Sequence, residues 1–326
     1  MTFAPGRRWE IAGVLLLVIV PIGCSLLGLP FYLNFATRIV IFAIAALSLD
    51  LILGYGGMAS FGHSAFIGIG AYTVGILSYH GIDSGFVQWP VAVAVASLVG
   101  AAIGVVALRA SGVYFLMLTL AFAQMLYLIV FGLKKYGGDD GLTIDQRSTF
   151  FGHSILDHTQ VMYAVSAVLL CVFYWLCRRL VGSHFGMVLR GTRSNLSRME
   201  VLGFPTFRYR LTAFVISGAI CSVSGVLLAN LTEFAAPAYM NWERSGDLIV
   251  MVVVGGMGTL IGPIIGAAVY LSLQEVISAF TPHWQVIVGP LLVLQVLLMR
   301  RGFGRGGFRG WRHRGGALPH VLGSGR

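Results

Sequence analysis

Apolar residues run along this chain in long unbroken stretches. The segments 11–37, 51–82, 84–108, 110–133, 211–232, 248–274 and 276–299 hold no Asp, Glu, Lys or Arg. Because about 20 helical residues cross a hydrocarbon layer about 30 Å thick, each segment is long enough to span one. The alternating short strands of a membrane β-barrel are missing, and runs such as Val250–Val254 are apolar on every face. The pattern therefore predicts an all-α polytopic membrane protein of about ten transmembrane helices. Cutting at charges, prolines and glycine clusters puts them near 11–29, 34–53, 58–79, 88–108, 112–133, 160–177, 210–231, 247–261, 262–280 and 284–299. The eighth and ninth meet at Gly255-Gly256-Met257-Gly258 and Gly262-Pro263, which allows two full spans or a broken, re-entrant helix.

Composition excludes a soluble enzyme. The chain is 57% hydrophobic and 10% charged, with mean hydropathy +0.85, against roughly 25% charged residues in an ordinary soluble domain. Cys24, Cys171, Cys177 and Cys221 all fall in apolar stretches, without a CxxC pair or a histidine at ligand spacing, and read as buried packing residues. At the N-terminus, Arg7-Arg8, the apolar Ile11–Val20 and Pro21-Ile22-Gly23-Cys24 imitate a secretory or lipoprotein signal. The apolar run continues through Leu29, which favours an uncleaved first span.

The net charge of +10 matters through its distribution. With the N-terminus inside, ten spans leave only Arg38, Lys134, Lys135, Arg147 and Arg244 outside, of 22 basic residues. Positively charged loops stay cytoplasmic, so both termini are expected in the cytoplasm. Residues 1–299 then form a transmembrane domain with a cytoplasmic loop at 178–209, and an outer segment lies near 134–159. Residues 300–326 form a basic, disordered cytoplasmic tail; after a membrane span it suits anionic lipid headgroups better than nucleic acid. Within the inner loop, Leu189, Leu196, Met199 and Leu202 share one helical face while Arg190, Arg193, Arg198 and Glu200 keep to polar positions. That pattern fits an amphipathic surface helix or a basic loop that only fixes topology.

Several machines are absent from the sequence. Neither lysine stands in a GxxxxGK[ST] phosphate loop, and no HExxH site or strand-bound GxGxxG occurs. ATP-driven transport would need another subunit to supply hydrolysis. Asp50 and Glu275 are the carboxylates closest to a proton-coupling role, but both fall near span ends, as do Arg38 and Arg109, where anchoring suffices. The stretch from Gly54 to Tyr72 is less ordinary. Gly54, Gly56 and Gly57 suit an unwound start to a span, and Ser60, Ser64 and Gly68 recur every fourth residue as a small-residue seam. Gly258, Gly262 and Gly266 repeat that spacing just after Gly255 and Gly256. Paired glycine-interrupted segments point to a transport pathway or to tight packing. His63 fits either a substrate contact or a buried histidine satisfied by neighbours such as Ser60 and Ser64.

These residues bring a family into view. Leu53-Gly54-Tyr55-Gly56-Gly57, Ser60, Gly62-His63, Ala65-Phe66 and Gly68-Ile69-Gly70-Ala71-Tyr72 resemble the LGYxGxxSxGHxAFxGxGAY block of the branched-chain amino-acid ABC-transporter permeases of the LivM type. Tyr114–Phe122, Gly137–Leu142, Gly203 with Arg208–Leu211 and Ala213-Phe214, and Val253–Pro263 resemble further blocks in the same order. The resemblance implies an importer subunit of the bacterial inner membrane, multi-pass, moving branched-chain amino acids by alternating access. It also implies a second related permease, two cytoplasmic ATPase subunits that hold the ATP and Mg, and a periplasmic or lipid-tethered solute-binding protein. This chain itself then binds no cofactor or metal. By the same resemblance a coupling helix maps onto Gly186–Gly203, with Gly186, Arg190, Arg193, Met199, Glu200 and Gly203 facing the ATPase. Gly54, Gly56, Gly57, Ser60, Gly62, His63, Gly255, Gly256, Gly258 and Gly262 fall to the pathway or its packing. Two departures stand out: Ser194-Asn195-Leu196 replaces the usual acidic residues followed by Ala-Ala, and Asp50 stands where Asn is frequent. A related permease for urea, short amides or another small solute shares these blocks, and a proton-coupled carrier is the other class.

Overall fold

The computed structural model describes residues 30–150, 155–280 and 289–290. The expected first span at 11–29, Cys24 and the tail 300–326 lie outside them, as does the tenth span at 284–299 apart from Gly289 and Pro290. In chain order the described helices are α1 Pro30–Asp50, α2 His63–Tyr79, α3 Gly85–Ala107, α4 Val113–Gly132, α5 Thr159–Gly182, α6 His184–Ser194, α7 Leu196–Val201, α8 Thr206–Thr232, α9 Trp242–Gly255 and α10 Gly262–Ser278. A π-helical turn, Leu51–Tyr55, prolongs α1. Two short strands, β1 Leu142–Thr143 and β2 Phe234–Ala235, pair antiparallel with Leu142 opposite Ala235. The chain divides into two compact units after Ser272; Glu275, in the second, is half-buried.

Five of these segments are long and apolar enough to cross a membrane: Phe31–Tyr55, Gly85–Ala107, Val113–Gly132, Thr159–Gly182 and Thr206–Thr232. Burial sorts them into two kinds. The most apolar windows of α1 and α8 are 78% and 72% buried, whereas those of α3, α4 and α5 are 33%, 22% and 28% buried. The first pair forms the interior. The other three turn Leu98, Tyr114, Met117, Leu128, Val168 and similar side chains outward, as lipid allows.

At the centre lies α2, buried on nearly all sides from His63 to Gly75, as an evenly apolar helix must be. It packs on α8 through two glycines. A Cβ at Gly70 would meet the Ser222 carbonyl oxygen, and one at Gly225 would meet the Ile67 carbonyl oxygen, so the two backbones touch where neither residue carries a side chain. The predicted seam is therefore displaced. Ser60 precedes α2 and leaves the spacing, while Ser64 and Gly68 face the 3-10 turn Pro237–Met240 and α9. Close helix approach needs Gly at the crossing point itself, which spacing alone did not locate.

Other expectations also shift. The third span was expected from residue 58, but helix begins at His63. Gly57 adopts φ +68°, and the N–H groups of Phe61 and Gly62 donate to Thr119 Oγ1 at 3.2 Å and Ser60 Oγ at 3.2 Å. Side chains thus satisfy backbone that a helix would otherwise satisfy. The loop expected to hold one amphipathic helix holds two, because Asn195 takes extended angles and its side chain caps α7 through the Arg198 N–H at 2.9 Å. Of the apolar face Leu189, Leu196, Met199 and Leu202, Leu189 is buried and Leu202 is exposed. Cys171, expected to be buried, is also exposed, while Cys177 and Cys221 are buried.

The region expected to hold the eighth and ninth spans is a hairpin of α9 and α10. At about 1.5 Å per residue their 14 and 17 residues reach about 21 and 26 Å, less than a hydrocarbon layer of about 30 Å. A Cβ at Gly255 would meet the Gly262 carbonyl oxygen, and one at Gly266 the Met251 carbonyl oxygen. Tyr270 closes the pair by donating to Asp247 Oδ1 at 2.5 Å. Gly258, counted in the predicted repeat, stands outside it in the intervening turn with φ +77°.

Candidate functional site

The π-helical turn at the end of α1 is the first sign of a special place, since one wide turn inside a membrane helix frees backbone groups that must find partners elsewhere. Met58 N–H reaches back to the Ile52 carbonyl at 2.9 Å and Gly57 N–H to Leu53 at 3.2 Å. The Gly54 carbonyl accepts from Arg193, on α6. Glycine is required at this spot on both sides. A Cβ at Gly54 would run into the Asp50 carboxylate and the Gly258 nitrogen, and one at Gly57 into the Arg193 side chain.

Asp50 completes the junction. Its side chain is fully buried; Oδ1 accepts the Gly258 N–H at 2.8 Å, and the carboxylate interacts electrostatically with Arg193. Oδ2 has no hydrogen-bond partner among the described residues. A buried carboxylate is tolerable only beside compensating donors and positive charge, and those come from the two ends of this arrangement. Three segments far apart in sequence are thus joined: the break after α1, the turn between α9 and α10, and α6. Leu189 of α6 lies against Gly56, and Arg190 interacts electrostatically with Tyr55.

The remaining loop residues hold the loop helices to one another and to their neighbours. Gly186 is pressed on the Val181 backbone, and Met199 folds back on Gly191, binding α7 to α6. Glu200 Oε1 accepts from Thr206 Oγ1 at 3.0 Å, tying α7 to the start of α8, while Gly203 at φ +85° has open space around it. Met187, Val201 and Leu202, none of them singled out from sequence as contacts, are the exposed apolar side chains; Val201 is 88% and Leu202 64% exposed.

His63 is not part of the junction. Its Nε2 meets Ser217 Oγ at 2.8 Å, and the Ser217 hydroxyl donates to the Ser48 carbonyl. Ser217 has one proton to give, so the His63 Nε2 carries the hydrogen and Nδ1 is bare. The ring is fully buried against Phe66 and Phe214. Its partner comes from α8 instead of Ser60 or Ser64, and the chain His63–Ser217–Ser48 laces α2, α8 and α1 together. Gly62 packs on the Thr119 backbone, and Gly255, Gly256 and Gly262 belong to the α9–α10 hairpin. Among the described residues no cluster of His, Cys, Asp or Glu has the makings of a metal site.

From sequence Asp50 reads as a span-end carboxylate and as a departure from the usual Asn, Thr119 is only one member of a motif block, and Ser217 carries no signal. Asp50 lies 208 residues from Gly258 and Ser217 lies 154 from His63; no local pattern signals either pairing.

Comparison with known proteins follows the same blocks. A family model described as branched-chain amino acid transport system / permease component matches residues 31–297. The high-affinity branched-chain amino acid transport system permease protein LivM of Salmonella typhimurium, and that of Escherichia coli, are each 26% identical over 296 residues, covering 82% of this chain and 69% of theirs. The Escherichia coli permease protein LivH is 25% identical over 282 residues, covering 80% of this chain and 90% of its own length. No solved structure matches the chain.

Proposed function

The chain belongs to the family of branched-chain amino acid transport system permease components, and from that premise we propose that it is one of two related permease subunits of an ATP-driven importer in the bacterial inner membrane. Branched-chain amino acids are its cargo, as the names of its LivM and LivH relatives suggest. It contributes no ATPase site; ATP and Mg act on two cytoplasmic partner subunits, and a periplasmic or lipid-tethered binding protein delivers the solute. Ten spans with both termini cytoplasmic put the loop 178–209 on the ATPase side. In this reading residues 1–299 are the permease domain and 300–326 a basic tail that meets membrane lipid.

One observation carries the coupling role: α6 grips the break in α1 through Arg193 and Gly54, and that break grips the α9–α10 turn through Asp50 and Gly258. A shift of α6 by an ATPase seated on Met187, Val201 and Leu202 reaches both glycine-interrupted segments directly. Rigid-body rocking about such a joint is a recognised route for alternating access. Of the residues assigned to coupling, Arg193 and Gly186 then transmit, Arg190 supports the joint beside Tyr55, and Met199, Glu200 and Gly203 hold the shape of the loop.

The test is ATP-dependent uptake of radiolabelled leucine by proteoliposomes that hold this chain with its permease, ATPase and binding-protein partners. Uptake that needs internal ATP supports the proposal. ATP-driven uptake of urea or another small solute, and not of leucine, keeps the architecture and overturns the cargo. Uptake by the chain alone on a pH gradient overturns the importer itself.

A further inference from the structure

Beside the middle of α1 and the start of α9 a cleft of about 230 Å³ opens, lined by Arg38, Phe42, Ile67, Leu228, Thr232, Tyr239 and Arg244. Five elements meet there. Arg38 and Phe42 share one face of α1, four residues apart, and Leu228 and Thr232 share one face of α8. Ile67 comes from α2, Tyr239 from the 3-10 turn Pro237–Met240, and Arg244 from the first turn of α9. Sequence reasoning gave Arg38 to membrane anchoring and left Arg244 unassigned, with no reason to join residues 206 positions apart.

Among the described residues the lining has two guanidinium groups and no carboxylate. Arg38 lies over the Phe42 ring, 5.9 Å from its centroid, and Arg244 stands 3.5 Å from Asp247, which is itself held by Tyr270. Phe42, Ile67 and Leu228 form an apolar wall beside these groups. Such a wall accommodates an aliphatic side chain, while guanidinium forks bind carboxylates through charge-assisted hydrogen bonds. Thr232 Oγ1 and Tyr239 OH, 3.3 Å apart, add hydroxyl oxygens able to accept from an ammonium group. The volume equals about eight waters at about 30 Å³ each, the scale of one small amino acid and far below that of a phospholipid with its two acyl chains.

We propose that this cleft is a binding station for the cargo, in which Arg38 and Arg244 receive the carboxylate of an aliphatic α-amino acid and Phe42, Ile67 and Leu228 its side chain. The assignment rests on the reading of the chain as a branched-chain amino acid permease. It also explains why the cleft sits where it does. Arg38 shares α1 with Asp50, about 18 Å further along the helix, and Arg244 shares α9 with the turn that holds Gly258. The Asp50–Gly258 joint therefore connects the two helices that carry the two arginines, and a movement there changes the spacing of the guanidinium groups.

The experiment uses the assembled complex of both permeases and both ATPases, without binding protein, so that recognition by the latter does not enter. Tritiated leucine binding is measured by scintillation proximity, with leucinamide, which lacks the carboxylate, as competitor. The wild type is expected to bind leucine and to discriminate against leucinamide. Arg38→Gln and Arg244→Gln each weaken leucine about tenfold or more and narrow that discrimination, Arg38→Lys and Arg244→Lys recover part of the affinity, and Leu228→Trp blocks binding without touching charge. The lysine and tryptophan variants keep the proposal testable if a glutamine variant does not assemble. Unchanged leucine affinity in both glutamine variants and in Leu228→Trp overturns it. So does native mass spectrometry in which the arginine variants lose a bound anionic phospholipid while leucine affinity stays intact. The importer reading fails separately, by absence of ATP-driven leucine uptake in the wild type; uptake in the wild type with KM and Vmax unchanged in the arginine variants removes the cleft assignment alone.

Discussion

The middle and the far end of α1 are built in opposite ways. At Asp50 the helix widens into a π turn, and everything around it is small or backbone: Gly54, Gly57 and Gly258 touch neighbours where a single Cβ would collide. At Arg38, some twelve residues earlier, long side chains from five elements surround open space. Close backbone packing transmits displacement because it has no slack, whereas long side chains around a cleft rearrange at little cost. The contrast teaches that glycines in a membrane bundle mark where backbones meet, and that open space is lined elsewhere, by longer side chains.

The contrast breaks most severely where backbones cross. Gly225→Val puts a side chain against the Ile67 carbonyl, and overpacking of this kind costs about 3 kcal/mol or more. We expect the complex to melt many degrees lower and uptake to vanish; a melting curve like that of the wild type would mean that α2 and α8 separate more easily than their packing implies. Gly54→Ala acts next, at the joint itself. Assembly should survive while leucine uptake falls more than tenfold, measured in proteoliposomes with the binding protein in excess.

Arg193→Ala sharpens the comparison by removing the grip of α6 without adding bulk. Uptake is expected to drop about tenfold while ATP hydrolysis continues, and a parallel loss of both activities would assign Arg193 to ATPase docking instead of transmission. Ser217→Ala leaves the His63 Nε2–H buried without its acceptor, a loss of about 1–3 kcal/mol. Thermal stability should fall accordingly, with KM for leucine unchanged. The smallest effect belongs to Asp50→Asn, because an amide oxygen still accepts from Gly258. Uptake within about twofold of wild type is expected; a loss as large as that of Gly54→Ala would give the charge opposite Arg193 the leading part.

Much of the architecture is legible from the sequence because bilayer insertion depends on local quantities. Stretches free of charge announce α3, α4 and most of α8, cuts at charges place α1 and α5, and the glycine clusters announce the breaks at Gly54–Gly57 and Gly255–Gly258. The inner loop shows its helical periodicity, though its division at Asn195 depends on a single extended residue that hydrophobic spacing does not register. The candidate site is legible only in pieces. Gly54, Gly258 and Arg193 were each singled out, for separate reasons, and nothing in the chain says that they touch.

What the sequence determined alone, then, is that this is a helical membrane protein, where its apolar segments run, and which family its motif blocks resemble. Those follow from hydrophobicity and residue order, which act locally. Only the tertiary structure decided that Asp50 holds Gly258, that His63 leans on Ser217, and that Arg38 and Arg244 face one cleft. Each joins residues more than 150 positions apart, and in an apolar bundle such pairs are selected by which buried donor and acceptor the packing brings within about 3 Å, a property of the folded helices and not of any one of them.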